Sequence, residues 1–144
     1  MVSPISKDFP EEGVIVTIPE QVHPIEVQRI DLLAIEKMPS VRIGFYPFRL
    51  VINLKFVDPM HPEKELLDFD PRIMVRIRYT KDDYARAQAV RRPLCLGFWD
   101  GSRWIRCTAS KHLFRFEYDT VPEDGGWGVI EVAHWGDPTQ AWGT

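Results

Sequence analysis

The histidines are the first candidates for chemistry, but their spacing matches no metal-binding pattern. The four are spread along the chain: His23, His61, His112 and His134. No His-x-His pair would set two imidazoles on one face of a strand. His61 lies near Asp58, Asp68 and Asp70, an oxygen-rich group that could hold an ion, yet the spacing is unlike that of an EF-hand loop. We therefore predict structural or exposed histidines, no metal and no other cofactor.

Nucleophilic catalysis has equally little support. Ser110 lies two residues before His112, and Cys107 lies five residues before it, but neither has the context of a nucleophile elbow. Neither a glycine-rich dinucleotide loop nor a phosphate-binding loop with a lysine is present. We predict a protein that is not an enzyme. A hydrolase centred on the carboxylates of residues 58–70 is the enzymatic alternative.

The tryptophans are the strongest lead to a binding site. All five fall in the last third of the chain. Trp104 and Trp135 are expected to pack in the core, since aromatic rings bury large areas. Trp99 stands at a turn and Trp127 begins a strand after two glycines, so their rings could meet a protein partner or a sugar. Trp142 either fastens the tail or reaches a neighbouring subunit. We predict Trp99, Trp127 and Trp142 as ligand- or partner-binding residues.

Composition sets the limits within which such a site must lie. The chain has 144 residues, 44% hydrophobic and 27% charged, with a formal net charge of -3. That balance predicts one globular domain over residues 1–144 and argues against nucleic-acid binding. Arg86, Arg91 and Arg92 are interpreted as a solvated face. Charges interrupt every apolar stretch, and the first residues lack a signal-peptide pattern, so we expect a cytoplasmic protein without a membrane segment.

The elements that must position these residues follow a period of two. Large apolar residues alternate from Phe48 to Phe56 and from Ile73 to Tyr79. Thr80 as N-cap, with Asp83 three residues later, predicts one short helix over about 81–90. The prediction is an all-β fold: an antiparallel two-sheet β-sandwich of about 8–9 strands with that helix as a crossover, and a closed barrel as the alternative. Residues 1–10 are expected to form an irregular arm and residues 58–72 an irregular loop.

Two cysteines, Cys95 and Cys107, flank a predicted hairpin at Asp100-Gly101. A two-residue loop would put the sulfurs on opposite faces, and a three-residue loop would put them on one face but diagonal to each other. Neither register sets them directly opposite. We predict two reduced cysteines that act as small core residues.

Residues 69–107 carry a resemblance to a known group of proteins. A strand ends in Tyr79-Thr80, an Asp-containing helix follows, and then comes a hairpin with Trp99-Asp-Gly-x-x-Trp104. This resembles bacterial β-sandwich modules of the ZU5-like or immunoglobulin-like kind. The resemblance covers about a quarter of the chain, and it implies an adhesion, linker or assembly domain with no catalytic residues. Modules of that kind are often exported parts of longer proteins.

Together these observations favour an interaction or structural module that takes part in protein assembly, with a protein partner or its own oligomer. The alternative is a module that binds a carbohydrate or another small ligand through Trp99, Trp127 or both.

Overall fold

The computed structural model describes residues 5–19, 25–29, 47–99, 104–108, 113–117, 125–135 and 139–144. These residues form eleven strands and one helix. Their bounds are β1 (Ile5–Phe9), β2 (Val14–Ile18), β3 (Glu26–Arg29), β4 (Pro47–Asp58), β5 (His61–Glu65), β6 (Asp68–Thr80), α1 (Lys81–Ala89), β7 (Cys95–Trp99), β8 (Trp104–Arg106), β9 (Arg115–Phe116), β10 (Gly125–His134) and β11 (Thr139–Gly143).

The strands form two antiparallel sheets. Sheet one has the order β1-β2-β6-β10-β9, and sheet two has the order β3-β4-β11-β7-β8, with β5 paired to β4. The all-β sandwich prediction is therefore confirmed. The eleven strands of the described residues exceed the predicted 8–9. The difference arises because β1, β5 and β11 are short strands whose sequences lack a strong apolar alternation.

The core lies between the inner faces of the two sheets. Strand β6 alternates as predicted from Ile73 to Tyr79, β2 buries every second side chain, and β10 buries Ile130 and Val132 in the core. Sheet two contributes residues of β4 and β7 to the same cluster. Its largest fully buried members from the two sheets are Ile73, Ile77, Tyr79, Ile130, Leu54, Phe56, Leu96 and Trp142. Trp135 also belongs to it, and the Trp135 indole N–H donates to the Leu54 carbonyl over 3.0 Å. The predicted core role of Trp135 is confirmed, with an exposure of 3%, whereas Trp104 is buried at 5% exposure in a second cluster with Cys95 and Ala141.

The helix begins at the predicted cap and links the two sheets. The Thr80 hydroxyl accepts from the Asp83 amide at 3.2 Å, and the Asp83 carboxylate accepts from the Thr80 amide at 2.8 Å. These reciprocal bonds form a capping box that satisfies donors at the helix start. Asp83 also accepts from Arg49 of β4, from Nε at 2.8 Å and from the terminal nitrogen at 2.6 Å. The helix runs from β6 in sheet one to β7 in sheet two, so the crossover prediction is confirmed.

Two segments predicted to be irregular, and a third for which no element was predicted, are strands in the structure. Residues 5–9, expected within an irregular arm, form β1 and pair with β2 from Ile5–Ile18 to Phe9–Val14. Residues 61–65, expected within the 58–72 loop, form β5, and β6 already begins at Asp68. Residues 139–143 form β11 between β4 and β7. In each case the pairing with a long neighbouring strand outweighs the weak local pattern.

Strand β4 is buried on both faces over part of its length. Leu54 and Phe56 lie in the core as predicted, whereas Val51 and Asn53, expected on the opposite face, are only 3% and 6% exposed. The pairing with β11 shifts register at this point, which indicates a bulge. The side chains of Phe48, Leu50 and Ile52 lie outside the described residues.

The hairpin register settles the relation of the two cysteines. Trp99 pairs with Trp104 and Gly97 with Arg106, so residues 100–103 connect the strands and neither predicted loop length is correct. The Cys107 amide donates to the Leu96 carbonyl over 2.9 Å, which aligns Cys107 with Leu96. Cys107 belongs to the main core, whereas Cys95 belongs to a second cluster with Trp104 and Ala141. The cysteines are therefore buried free thiols on opposite faces of sheet two, as the prediction of two reduced core residues required.

Candidate functional site

Strand β10 presents its odd-numbered side chains to the outer face of sheet one. Ile130 and Val132 are buried in the main core, and neighbouring residues of a strand point to opposite faces. Trp127, Val129 and Glu131 therefore project outward. Their partners on β6 are Arg78, Arg76 and Met74, and Val129 also pairs with Arg115 of β9. We call this set, together with Glu117, the outer face.

Trp127 packs under an arginine side chain on the outer face. The Arg76 guanidinium lies over its indole ring, 5.2 Å from the ring centroid. Arg76 also forms an ion pair with Glu117, and the Glu117 amide donates to the Trp127 carbonyl at 3.0 Å. A cation over an indole at a partly exposed site contributes about 0.5–1 kcal/mol. One face of this half-buried ring is therefore covered by an arginine that is itself held by Glu117.

Charged side chains cover the one valine at the centre of the outer face. Val129 is only 3% exposed, although it lies on the side of the sheet that faces away from the core. Arg76 and Arg115 flank it across the two neighbouring strands, and the aliphatic stems of arginine side chains cover apolar surface. Arg115 is in turn held by Glu131 at 2.8 Å. The result is a tryptophan beside a covered valine, bordered by two ion pairs.

The Gly-Gly-Trp-Gly sequence explains why Trp127 is directed outward. A Cβ at Gly126 would lie 2.7 Å from the Tyr79 hydroxyl, and one at Gly128 would lie 2.6 Å from the Trp142 ring. Both glycines are on the core side, where they let these rings pack against the β10 backbone. The intervening Trp127 must then project to the other face.

Trp99 lies elsewhere. It packs edge-to-face on Trp104 with ring centroids 5.6 Å apart, against the second cluster that includes Cys95 and Ala141. Its strand neighbour Phe98 belongs to the main core, so Trp99 is on the outward side of sheet two. Trp99 and Trp127 thus lie on opposite outer surfaces of the sandwich, and the structure does not bring them into one site.

Trp142 belongs to the core. Its side chain has no exposed surface, and its indole N–H donates to the Arg78 carbonyl over 2.8 Å. Its ring stacks on Phe116 at an interplanar angle of 10° and meets Tyr79 edge-to-face at 5.5 Å. Of the two roles predicted for Trp142, it takes the structural one, and its ring offers no surface to a partner.

The acidic residues of segment 58–70, considered above for an ion site or a hydrolytic site, do not converge on one point. His61 lies 3.8 Å from Glu63, whereas Asp68 contacts His134 at 2.8 Å. Asp58 instead accepts the backbone amide of Met60, two residues later. Among the described residues, no three His, Cys, Asp or Glu side chains come together in a way that could hold a metal ion. The side chain of Asp70 lies outside that part of the chain.

The described thiols are unsuited to nucleophilic chemistry. Burial raises the pKa of the Cys95 thiol to about 11, and the nearby Arg106 opposes this only in part. Cys107 is 2% exposed within the main core. A thiol must ionise to attack, and a buried apolar setting disfavours the thiolate. Ser110 and His112 lie outside the described residues.

Sequence reasoning identified Trp127 but not the residues that hold it. The alternation of apolar residues from Ile73 to Tyr79 leaves Arg76 on the polar side of β6, and this is the signal that the sequence offers for it. Glu117 and Arg115 reach this face only through the pairing of β9 with β10. Nothing in the sequence of these two segments indicates that they pair, or which of their residues lie opposite each other.

Comparisons with protein-family models, curated protein sequences and solved structures found no match for this chain. In the described ranges, the single helix is too short and too polar to cross a bilayer.

Proposed function

We propose that this chain is a non-enzymatic β-sandwich module that takes part in protein assembly and binds its partner through the outer face. The observation that carries this proposal is Trp127, a half-buried indole fixed under Arg76 on the outward side of a sheet. Tryptophan and arginine are the residues most enriched among the energetic centres of protein interfaces. Fixing such side chains in advance reduces the entropy lost on binding.

The surroundings of Trp127 favour a protein partner. The partly exposed indole of Trp127, bordered by the ion pairs Arg76–Glu117 and Arg115–Glu131, resembles an aromatic anchor within a polar rim. Flanking charges of both signs suit the mixed polar surface of a folded protein. A protein-binding module also agrees with the assembly role that the ZU5-like or immunoglobulin-like resemblance of residues 69–107 implies.

A carbohydrate ligand is the second candidate because the indole of Trp127 is partly exposed on the outward side of a sheet. Sugar rings stack on aromatic faces, but the Arg76 guanidinium already covers one face of this ring. A sugar would have to use the opposite face alone. The geometry therefore supports glycan binding less well than protein binding.

The test is quantitative capture from a lysate of the source cells on immobilised protein. Wild-type chain is compared with Trp127→Ala, Trp127→Phe and the control Met60→Ala, which truncates an apolar side chain that is 80% exposed on the β4–β5 turn. We expect a captured protein that Met60→Ala retains, that Trp127→Ala loses and that Trp127→Phe recovers in part. Capture that is identical for all four proteins would contradict the outer-face proposal.

A glycan array run with the same four proteins separates the two candidates. Binding to a sugar that depends on Trp127, without any protein captured through that residue, would replace the protein-partner proposal with the carbohydrate alternative. A signal that persists in Trp127→Ala would place sugar binding outside the outer face.

A further inference from the structure

Part of strand β10 has an open backbone edge. Strand β9 is only two residues long, and its pairing with β10 ends at Val129–Arg115. In the part of the chain that the structure describes, no other strand pairs with β10 on that side. Strand β10 itself continues from Ile130 to His134. We call the backbone of residues 130–134, on the side away from β6, the β10 edge.

The backbone groups that point away from β6 belong to alternate residues of β10. The Glu117 amide donates to the Trp127 carbonyl over 3.0 Å, so the backbone of Trp127 is directed toward β9. Residues two apart in a strand direct their backbone groups to the same side, which assigns Glu131 and Ala133 to the β10 edge. Each of them carries one N–H donor and one C=O acceptor. Such groups on a strand edge can accept an added strand from another chain.

Leu113 prevents β9 from covering this edge. Continued pairing would set Leu113 opposite Glu131, since Arg115 lies opposite Val129. Leu113 instead has a φ of +49°, a strained left-handed conformation that bulky residues rarely adopt. Its side chain is 37% exposed. The fold therefore holds a strained backbone and an exposed leucine at the point where a longer β9 would have closed the edge.

The charged side chains beside the β10 edge are paired with each other. Glu131 binds Arg115 at 2.8 Å, and His134 contacts Asp68 at 2.8 Å. The exposed Arg72 belongs to β6, on the other side of β10. A charge of either sign brought to the edge would therefore be covered without a counter-charge of its own. Charge complementarity favours an uncharged occupant.

We propose that the β10 edge binds an extended, uncharged segment of a partner protein. The segment adds to sheet one as a strand, in line with β9 and antiparallel to β10. Its backbone bonds to Glu131 and Ala133, and one of its apolar side chains covers Leu113. Main-chain hydrogen bonds supply the affinity, and β-branched residues favour the extended conformation. The proposal does not depend on a binding role of Trp127, because it uses the backbone of β10 beyond that residue.

The test uses a capped, dye-labelled heptapeptide, Ser-Thr-Val-Thr-Val-Thr-Ser, and two N-methylated forms of it. One form is methylated on the threonine amides and the other on the valine amides, so each lacks the donors of one edge of the peptide. Fluorescence anisotropy measures the affinity of all three for the wild-type protein. Because an added strand pairs through one edge, one methylated form should bind at least about tenfold more weakly than the unmodified peptide, and the other within about threefold.

Two substitutions of Ala133 locate the binding. Ala133→Pro removes a donor from the β10 edge, and it should fold because that amide lies on the side away from β6. Ala133→Ser keeps the donor and is the matched control. We expect Ala133→Pro to weaken binding of the unmodified peptide by at least about fivefold, and Ala133→Ser to stay within about twofold of wild type. Trp127→Ala should bind like wild type, which separates this proposal from the outer face.

Amide hydrogen exchange on the wild-type protein gives a readout that does not require the proline variant to fold. The unmodified peptide should slow exchange at Glu131 and Ala133, because their amides become hydrogen-bonded.

Three results would overturn the proposal. The first is equal affinity of the two methylated peptides, or no binding of the unmodified peptide up to about 1 mM. The second is undiminished binding by folded Ala133→Pro, or protection of other segments but not of residues 130–134. The third is self-association in sedimentation velocity that Ala133→Pro abolishes, which would make a second copy of this chain the occupant.

Discussion

Replacing Asp83 with alanine should destabilise the protein much more than an ordinary change on a helix surface. The Asp83 carboxylate is nearly inaccessible, with 3% of its side chain exposed. It accepts the Thr80 amide at the helix start and two nitrogens of Arg49 from β4. One side chain therefore fastens the crossover helix to a strand of sheet two, and alanine removes all of these bonds at once.

The size of the effect follows from two contributions. Losing the capping interaction costs about 1 kcal/mol. Breaking a buried ion pair by removing one partner costs about 3–5 kcal/mol, but 34% of the Arg49 side chain is exposed and can regain water. Discounting the second contribution for that exposure, we expect a total loss of about 3 kcal/mol in the free energy of unfolding.

The assay is urea unfolding followed by tryptophan fluorescence and circular dichroism. Asp82→Ala is the matched control, because Asp82 lies in the same helical turn but is exposed. It should lose less than about 1 kcal/mol, through the helix dipole alone. A double-mutant cycle with Arg49→Ala should give a coupling of at least about 1 kcal/mol. Equal losses for Asp83→Ala and Asp82→Ala, or no coupling, would refute this account of the helix.

Three further predictions concern the core. Gly128→Ala should lower the free energy of unfolding by about 1–3 kcal/mol in urea titrations, because its Cβ would meet the Trp142 ring at 2.6 Å. Trp135→Phe should cost at least about 1 kcal/mol, since the Leu54 carbonyl loses a buried donor; a neutral effect would contradict the bond. Burial raises the pKa of Cys95 from 9.0 to about 11 in the folded protein, so the thiol of the unfolded chain ionises first as the pH rises. The free energy of unfolding should therefore fall by about 2 kcal/mol between pH 9 and pH 11. Cys95→Ala should remove that part of the pH dependence, and identical pH profiles for the two proteins would refute it.

Local signals accounted for the parts of the fold that depend on neighbouring residues. Alternation along 73–79 predicted a half-buried strand, and Thr80 with Asp83 predicted both the start of the helix and its capping box. These features succeed because a period of two and a cap are each determined within a few residues.

Features that depend on distant pairing were not accessible in the same way. The contact of Arg49 with Asp83 joins residues 34 positions apart. The register of Gly97 with Arg106 left both predicted hairpin loops too short. Strand β11, which contains Trp142, pairs with β4 and β7 in the centre of sheet two, although its sequence has no marked alternation.

The candidate site shows the same division. Trp127 was selected from the sequence by residue type and by its position after two glycines. Its separation from Trp99 follows from the two strands lying in different sheets, with each ring directed outward. That Arg76 covers one face of Trp127 depends on the pairing of β6 with β10, which fixes which side chains are neighbours.

The most direct test of the central claim is the affinity of the purified captured partner, measured by titration calorimetry against wild type, Trp127→Ala and Met60→Ala. If the outer face is the binding surface, Trp127→Ala should weaken binding by at least about thirtyfold, which is where interface hot spots begin. Met60→Ala should bind within about twofold of wild type, since isolated surface contacts contribute little. Undiminished binding by folded Trp127→Ala would contradict the claim.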